Sequence, residues 1–276
     1  MTRLPTLTAL LDRYDTFLVD QFGTLHDGTT LYPDAAAGLA MLRAAGKQVA
    51  LLSNSGRRAA ANAARLARMG IPETAYDLFI SSGEVAANLL ARGGIAAARG
   101  ARTCLLLERN GDGSLLDDLG LAPAGPDSAD LVMIAGSEGD RLPMDHYKDM
   151  LAPLARRGVP ALCTSPDRTM LTPSGPTFGA GQIGETYESL GGEVIWIGKP
   201  YPAVFHAALA ALGNPDPARV AVVGDSVEHD IAGARSVGCA GYLLVQGIIA
   251  GWSDSQIEAE CARAGVWPDG VLSQLA

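Results

Sequence analysis

Residues 16–28 read Thr-Phe-Leu-Val-Asp-Gln-Phe-Gly-Thr-Leu-His-Asp-Gly, and the organisation of the chain can be worked out from them. The apolar run over residues 17–19 has no polar alternation, which is typical of a central parallel strand covered on both faces. Such a strand delivers Asp20 to its carboxyl end, where open α/β sheets bind their ligands. Gly23 permits a tight turn, and Thr24 can hydrogen-bond to that turn or to Asp20. Asp20 is therefore a candidate catalytic residue, with a carboxylate that merely ends a strand as the alternative.

The composition of the 276-residue chain restricts its partners and its compartment. Its formal net charge of −9 argues against nucleic acid or an anionic membrane as partner, because both favour clustered Lys and Arg. No apolar run is long enough to span a bilayer, and the opening residues lack the apolar core of a secretion signal. We therefore expect a cytoplasmic protein. The cysteines show no CxxC or Cys-His spacing, so they are predicted to be reduced packing residues.

Strands and helices alternate through the first part of the chain. A predicted helix that ends at Ala45 and a buried strand over residues 48–52 precede Ser53 and Asn54. The next helix is predicted over residues 57–69, and a further strand follows it. This alternation indicates a doubly wound parallel sheet. Ser53 and Asn54, beside free backbone amides at a helix start, would suit a phosphate oxygen. An ordinary N-cap serine is the alternative.

A block with its own strands and helices is inserted between residues 83 and 179. Strands are predicted over residues 103–107, 131–135 and 159–163, and helices over residues 84–92 and 143–157. Gly and Pro residues punctuate both ends of the block. We therefore predict an inserted smaller α/β domain, with the main domain formed by residues 1–82 and 180–276. One continuous sheet is the alternative.

The last part of the chain returns to the first pattern. A predicted strand over residues 194–197 precedes Lys199, for which a surface lysine is the ordinary alternative. The next apolar strand ends at Asp225. Asp230 follows at the start of the next helix, where it can brace neighbouring groups. An amphipathic segment over residues 253–264 is expected to cover the edge of the sheet.

Four strand ends are thus predicted to bring Asp20, Ser53, Lys199 and Asp225 to one crevice, with Asp230 beside them. Together these side chains suit phosphoryl transfer. Asp20 would be a carboxylate nucleophile that forms an aspartyl-phosphate. Ser53 and Lys199 would hold and neutralise the phosphoryl oxygens. Asp20 and Asp225 would bind Mg²⁺, a hard cation that takes carboxylates together with phosphate and water.

This order and spacing resembles the haloacid dehalogenase superfamily over essentially the whole chain. The long gap between Ser53 and Lys199 holds the insertion, as in the class IIA branch with a C2-type cap, whose members include nitrophenylphosphatase-like and sugar-phosphate phosphatases. Residues 163–167, Cys-Thr-Ser-Pro-Asp, resemble a cap segment of that branch. The resemblance implies a Rossmann-like core and a Mg²⁺-dependent phosphatase of a small phosphorylated metabolite. It allows a homodimer, and it implies that the backbone carbonyl of Phe22 also binds the metal.

Phe22 is also the point at which the sequence departs from the family. Phosphatases of this superfamily usually carry a second Asp there, which protonates the leaving alcohol and later activates water. A phenyl ring can do neither, and general acid–base catalysis typically contributes ~10²–10⁴-fold in rate. His26 and Asp27 are the nearest titratable side chains that could substitute for the missing carboxylate.

Three functions are consistent with this pattern. A phosphohydrolase is favoured, and a protein that binds a phosphorylated ligand but turns it over poorly is the alternative suggested by Phe22. A 2-haloacid dehalogenase is third, because those enzymes have a similar aromatic-Gly-Thr after the nucleophile but carry their cap between the first two motifs. Charged residues of the insertion either face the substrate or form a solvated rim: Glu138, Asp140, Arg141, Asp167 and Arg168.

Overall fold

The computed structural model describes residues 1–111, 113–172 and 175–276. Its strands are β1 (Arg3–Leu4), β2 (Thr16–Asp20), β3 (Gln48–Ser53), β4 (Leu78–Ser81), β5 (Thr103–Leu107), β6 (Ala122–Pro123), β7 (Leu131–Ile134), β8 (Ala161–Cys163), β9 (Thr169–Thr172), β10 (Gly175–Phe178), β11 (Val194–Trp196), β12 (Val220–Gly224), β13 (Ala240–Leu244) and β14 (Gly270–Leu272). Its α-helices are α1 (Ala35–Ala44), α2 (Ala59–Met69), α3 (Ser82–Ala91), α4 (Met144–Arg156), α5 (Ala180–Ser189), α6 (Pro202–Ala211), α7 (Ala232–Ser236) and α8 (Asp254–Ala264).

The first of two compact units comprises residues 1–53, 60–80 and 199–276. Its sheet has the strand order β1-β14-β13-β12-β2-β3-β4. In this order, neighbouring strands from β1 to β3 pair in parallel. The central strands β2 and β12 are buried along their whole length, because helices cover both faces of the sheet. The strand order reverses between β2 and β12, and open α/β sheets bind ligands at such a switch point. The predicted doubly wound parallel sheet is confirmed.

The second unit comprises residues 54–59 and 81–198 and has its own sheet. Its strands are arranged in the order β11-β8-β7-β5-β6, all parallel, and β9 and β10 form a separate antiparallel pair. Helices α4 and α5 pack on this sheet through the buried side chains of Tyr147, Leu151, Ile183 and Tyr187. The insertion therefore has a hydrophobic core of its own.

The limits of the two units differ from the boundaries predicted from the sequence. Strand β11, whose apolar pattern predicts a place in the main domain, pairs instead with β8, with Val194 opposite Ala161. Helix α5 joins the same core, so the second unit extends to Gly198 rather than ending at residue 179. The physical reason is that an apolar strand pattern shows burial but does not show which sheet buries the strand.

The carboxyl-terminal part of the first unit also differs from the prediction. Helix α8 packs Ile257 and Cys261 into a cluster with Ile231 and Leu243, so it covers a face of the sheet rather than its edge. The edge at this side is formed by β1, which pairs in parallel with β14. Strands of two and three residues are too short to show an alternation of apolar and polar positions, which is why sequence reasoning missed both.

The four cysteines are buried free thiols, as expected of packing residues. In the part of the chain that the structure describes, no helix combines the length and the apolar character that are needed to cross a membrane.

Candidate active site

The candidate site lies at the carboxyl ends of β2, β3 and β12 in the first unit. The parallel register places Leu52 opposite Asp20 and Val223 opposite Val19. Ser53 and Asp225 therefore extend one residue beyond the position of Asp20 on the two neighbouring strands. The predicted convergence of these three residues follows directly from the pairing of the strands.

Lys199 connects two of the carboxylates. Its Nζ donates a hydrogen bond to Asp20 Oδ1 and another, 2.6 Å long, to Asp230 Oδ1. The side chain is only 4% exposed, so the surface-lysine alternative is wrong. Burial opposes the charge of Lys199, but the two carboxylates outweigh that effect and raise the pKa of the amine. Lys199 is therefore a permanent cation at this site.

Asp225 is held by a loop that sequence reasoning missed. The Ile248 backbone N–H donates to Asp225 Oδ2 over 2.7 Å. A Cβ added to Gly23 or Gly247 would lie 2.1 or 2.0 Å from the same oxygen, and both glycines have positive φ. The two glycines therefore allow backbone to close on the carboxylate from two directions. The available signal was that residues 246–249 follow β13, the strand next to β12, so this loop had to lie at the same edge of the sheet.

Asp230 connects two of its neighbours through hydrogen bonds. Its Oδ2 accepts a hydrogen bond of 3.1 Å from the Ser226 backbone N–H, and its Oδ1 accepts from Lys199. The absence of a side chain on Gly224 makes room for it, since a Cβ there would lie 2.1 Å from Oδ2. The carboxylate sits on a single π-helical turn, Val227–Ile231, and is 1% exposed.

The three aspartates form an acidic cluster that suits a cation. Oxygens of Asp20, Asp225 and Asp230 lie within 4.8 Å of one another, and all three residues are buried. Burial raises the pKa of Asp20 to about 6, although Lys199 opposes the rise. Burial and then the carboxylates of Asp20 and Asp230 raise the pKa of Asp225 well above its usual range. Three carboxylates facing one lysine leave an excess of negative charge, which a hard divalent cation would neutralise.

The hydrogen bonds within the cluster distinguish its members. Both oxygens of Asp230 accept protein hydrogen bonds, one of them from Lys199, so this residue holds the lysine in place. One oxygen of Asp20 accepts from Lys199 and one of Asp225 accepts from Ile248, and these two residues stay the predicted metal ligands. The Phe22 carbonyl, which the family resemblance adds as a ligand, lies in the turn that directly follows Asp20.

Ser53 and Asn54 do not lie at a helix start, contrary to the prediction. Helix α2 begins at Ala59, so its first amides are not adjacent to either residue in sequence. Ser53 ends β3 and is 7% exposed, in a position beside Asp20. Asn54 belongs to the second unit, where its Nδ2 donates to Asp167 Oδ1 over 3.0 Å.

The turn after Asp20 differs from the prediction at Thr24. Its side chain is completely buried, and its Oγ1 makes no hydrogen bond within the described residues. The predicted bond to the turn or to Asp20 is therefore wrong. The turn is closed instead by the Gly23 N–H, which donates to the His26 carbonyl over 2.8 Å. Gly23 has φ of +86°, which confirms the need for glycine there.

His26 is locked inside this turn. The Gly28 N–H donates to His26 Nδ1 over 2.9 Å, so the neutral ring carries its proton on Nε2. That nitrogen lies 2.7 Å from the side-chain amide of Gln21, which has to present its oxygen to accept the proton. Burial, and then the charge of Arg65, lower the pKa of His26 to about 4. The ring is therefore neutral and engaged at both nitrogens.

Asp27, the other candidate for the missing acid, is engaged as well. Its Oδ1 accepts hydrogen bonds of 2.8 Å from the backbone N–H groups of Thr29 and Thr30. These bonds, with that of Thr30 foremost, hold the pKa of the carboxyl well below its usual range. Asp27 is a turn-forming residue, and it stays ionised at neutral pH.

Phe22 is 43% exposed, unlike the polar residues around it. Its ring meets the ring of His26 edge to face, with centroids 5.8 Å apart. A Cβ added to Gly28 would lie 3.0 Å from the Phe22 ring, so glycine lets the turn pack closely against it. The ring is held by the turn and presents its remaining surface outward.

The charged residues singled out in the insertion form ion pairs within the second unit. Arg109 binds both oxygens of Asp140, at 2.7 and 2.8 Å. The remaining pairs are Arg141 with Glu138, Arg168 with Glu185, and the hydrogen bond of Asp167 with Asn54. These contacts account for the local positions of the side chains.

The parallel sheet and the acidic cluster at its switch point define the class of this protein. It is an α/β protein of Rossmann-like type, and its candidate site is built on aspartates. The chain belongs to the haloacid dehalogenase-like hydrolases, a family that it matches over residues 17–122 and over residues 84–238. Among curated relatives, it is 30% identical to mouse chronophin over 84% of this chain and 80% of that protein. It is 29% identical to the sugar-phosphatase AraL of Bacillus subtilis, over 83% and 82% of the two chains.

Solved structures show the same architecture. A haloacid dehalogenase-like hydrolase from Brucella suis 1330 superposes with a TM-score of 0.85, at 26% identity, over 99% of this chain and 100% of that chain. Glycerol phosphate phosphatase from Mycobacterium tuberculosis, solved in complex with calcium, gives a TM-score of 0.68 at 26% identity, over 87% of this chain and 68% of that chain. The predicted fold class and family are confirmed.

Proposed function

We propose that this chain is a Mg²⁺-dependent phosphohydrolase of a small phosphorylated metabolite, acting through an aspartyl-phosphate on Asp20. The observation that carries the proposal is the buried set of Asp20, Lys199, Asp225 and Asp230 at the switch point of the sheet. A structural ion pair would need one carboxylate per lysine. The excess carboxylates are understandable if the site also receives a divalent cation and a phosphate group.

The residues divide the reaction among them. Asp20 supplies the carboxylate oxygen that attacks phosphorus. Lys199 is held as a cation beside Asp20, where it can neutralise the charge of the phosphoryl oxygens. Asp20 and Asp225, with the Phe22 carbonyl, would hold Mg²⁺, which would screen the repulsion between the carboxylate and the phosphate. Asp230 positions Lys199, and Ser53 stands beside Asp20 as a donor to phosphate.

The relatives support this reading through their own activities. One is named a sugar-phosphatase and another a glycerol phosphate phosphatase, and both names describe hydrolysis of a small phosphorylated molecule. We further propose that the second unit is the cap that selects the substrate. Its insertion between residues 80 and 199 of the first unit supports that assignment.

The deciding experiment is phosphate release from 4-nitrophenyl phosphate and from sugar, nucleotide and short-chain phosphates, with Mg²⁺ and with EDTA. Asp20→Asn is the active-site variant, and Asp216→Asn, an exposed residue of a 3₁₀ turn, is the matched control. We expect metal-dependent turnover in the wild type and in the control, and none in Asp20→Asn. Unchanged turnover in Asp20→Asn would refute the mechanism.

The presence of Phe22 also supports a second function, binding of a phosphorylated ligand with little turnover. A chain that lacks a general acid and base could hold a phosphorylated ligand and turn it over poorly. Ligand binding by calorimetry, with no phosphate release from any substrate of the panel, would establish that alternative. Halide release from 2-haloacids without metal would instead establish dehalogenation.

A further inference from the structure

Phe22 and its surroundings determine how a leaving group can depart from this site. In the usual phosphatase pattern, the residue at this position donates a proton to the oxygen that leaves phosphorus. The Phe22 ring has no proton to donate. A substitute donor would have to be a side chain close to Asp20 with a transferable proton that it is not using elsewhere.

The turn itself supplies no such donor. The single ring proton of His26 faces the amide of Gln21, and its other nitrogen accepts from Gly28. The imidazole is completely buried, so a leaving group cannot reach it without unfolding the turn. Asp27 is ionised and accepts hydrogen bonds from the backbone of its own turn.

The other groups near Asp20 are also engaged. Lys199 donates to two carboxylates, and both oxygens of Asp230 accept protein hydrogen bonds. Tyr32 is a half-buried phenol that is hydrogen-bonded to the backbone of Gly247, the glycine that closes on Asp225. Tyr32 is therefore a donor that the experiment has to test.

Apolar surface lies where the acid would be. Phe22 is 43% exposed and Ile248 is 57% exposed, which makes them two of the few large apolar side chains on the surface. They follow the two strand ends that surround Asp225. A Cβ on Gly247 would lie 2.6 Å from Gly23 Cα, so these two glycines are in contact. Phe22 is next to Gly23 in sequence, and Ile248 is next to Gly247. Two exposed apolar side chains thus flank the backbone that closes on Asp225.

We infer that the substrate is a phosphate whose leaving group departs as a weakly basic anion, such as the carboxylate of an acyl phosphate or the phenolate of an aryl phosphate, and that Phe22 contacts this leaving group. The inference rests on the proposed phosphohydrolase function. It separates this chain from relatives named for sugar phosphates and glycerol phosphate, whose leaving groups are strongly basic alkoxides.

The chemistry balances without a proton donor. The bond from an Asp20 oxygen to phosphorus forms as the bond from phosphorus to the leaving oxygen breaks, and the electron pair stays on that oxygen. A weakly basic oxygen carries this charge without protonation, whereas an alkoxide does not. In the second step, water attacks phosphorus, the bond to Asp20 breaks, and the water proton passes to the departing phosphate.

The second step also lacks assistance, because no carboxylate at position 22 can take a proton from the attacking water. The aspartyl-phosphate is therefore expected to accumulate during turnover. This gives a kinetic signature: the leaving group is released in a burst equal to the concentration of sites, followed by a slower steady rate. kcat should then be equal for all good leaving groups, while kcat/KM should still depend on the leaving group.

The test uses three probes of similar shape with increasingly basic leaving groups: 4-nitrophenyl, phenyl and benzyl phosphate. For the wild type with Mg²⁺, we expect a burst with 4-nitrophenyl phosphate. We expect kcat/KM for benzyl phosphate to be lower by at least about 10²-fold, the low end of what a general acid supplies. Acetyl phosphate should react and glycerol 3-phosphate should not.

Two variants of Phe22 test whether the lack of a proton donor at this position limits the reaction. Phe22→Asp restores an acid, and Phe22→Asn has the same size and polarity without a titratable proton. The readout is the ratio of kcat/KM for benzyl phosphate to that for 4-nitrophenyl phosphate. Phe22→Asp should raise this ratio by about 10²–10⁴-fold and abolish the burst, while Phe22→Asn should leave the ratio at the wild-type value.

A failure of the proposed function can be distinguished from a failure of this inference. If no probe gives a burst or phosphate in the wild type, the proposed function itself fails. If the wild type hydrolyses benzyl phosphate within about tenfold of 4-nitrophenyl phosphate, a proton donor is present and the inference alone is refuted. A selective loss of benzyl phosphate turnover in Tyr32→Phe would identify that donor as Tyr32 and would equally overturn the inference.

Discussion

Gly247 offers a direct test of how the acidic cluster is held together. Its φ is +55°, and an added Cβ would lie 2.0 Å from Asp225 Oδ2 and 2.5 Å from the Gly23 carbonyl oxygen. Gly251, four residues later, has φ of +77° and nothing within 4 Å of its added Cβ. The pair therefore separates the effect of backbone conformation from the effect of crowding against Asp225.

The magnitudes follow from these positions. An L side chain in the left-handed region costs roughly 1–2 kcal/mol, and both Gly247→Ala and Gly251→Ala incur this cost. Gly247→Ala adds overpacking of about 1–3 kcal/mol, because the neighbours are backbone and a short, buried carboxylate that cannot retreat. An excess of about 2 kcal/mol lowers Tm by roughly 4–8 °C relative to Gly251→Ala, using the scaling for chains of 150–250 residues.

The assay is thermal unfolding of both variants, with and without Mg²⁺. We expect Gly247→Ala to melt below Gly251→Ala and to gain less from Mg²⁺, because the displaced Asp225 is a proposed metal ligand. Equal melting temperatures in the two variants would refute the claim that Gly247 is glycine because of Asp225. Equal gains from Mg²⁺ would refute the role of Asp225 as a ligand.

Three further predictions concern the charged groups. Lys199→Met should destabilise the fold by about 3–5 kcal/mol at pH 7 in urea unfolding, since it leaves Asp20 and Asp230 without their cation. A surface ion pair contributes roughly 1 kcal/mol at most, so a change below about 1 kcal/mol would contradict this prediction. Saturating Mg²⁺ should stabilise the wild type by about 2.7 kcal/mol at 100 times Kd, and Asp225→Asn should show no such gain in thermal unfolding. The folded pKa of His26 is lowered to about 4, so its contribution to stability is complete above pH 6.5 and is lost as the pH falls towards 4. The loss is at most about 3 kcal/mol, and a His26→Gln variant with an equally steep acid limb would disprove it.

The sequence was most informative where function depends on strand ends. Apolar runs that stop at Asp20, Ser53 and Asp225 predict their meeting, because a parallel sheet aligns the carboxyl ends of its strands. The structure confirms this through the register of β2, β3 and β12. At these positions, the apolar pattern of the sequence and the pairing of the strands in the sheet lead to the same arrangement.

The sequence was least informative where distant segments meet. Lys199 follows a strand of the second sheet, so its place beside Asp20 comes from the return of the chain and not from a strand end of the main sheet. The contacts of Asp225 with Gly23 and Ile248 join segments about 200 and 20 residues apart in the chain. Hydrogen bonding inside the turn, which removed His26 as an acid, depends on a tautomer that no spacing encodes.

The candidate site has two parts that do not depend on each other. One is the set of groups that hold the charged residues, and the other is the side chain at position 22. The groups that hold Asp20, Lys199, Asp225 and Asp230 are backbone N–H groups, glycines and the charges themselves, and none of them is the Phe22 side chain. A ring at position 22 is therefore compatible with the hydrogen bonds that hold Asp20, Lys199 and Asp225. Under the proposed mechanism, it removes only the transfer of protons to the leaving group and from water. We therefore expect a substrate that needs no protonation to pass the first step, and we expect the second step to be slow for every substrate.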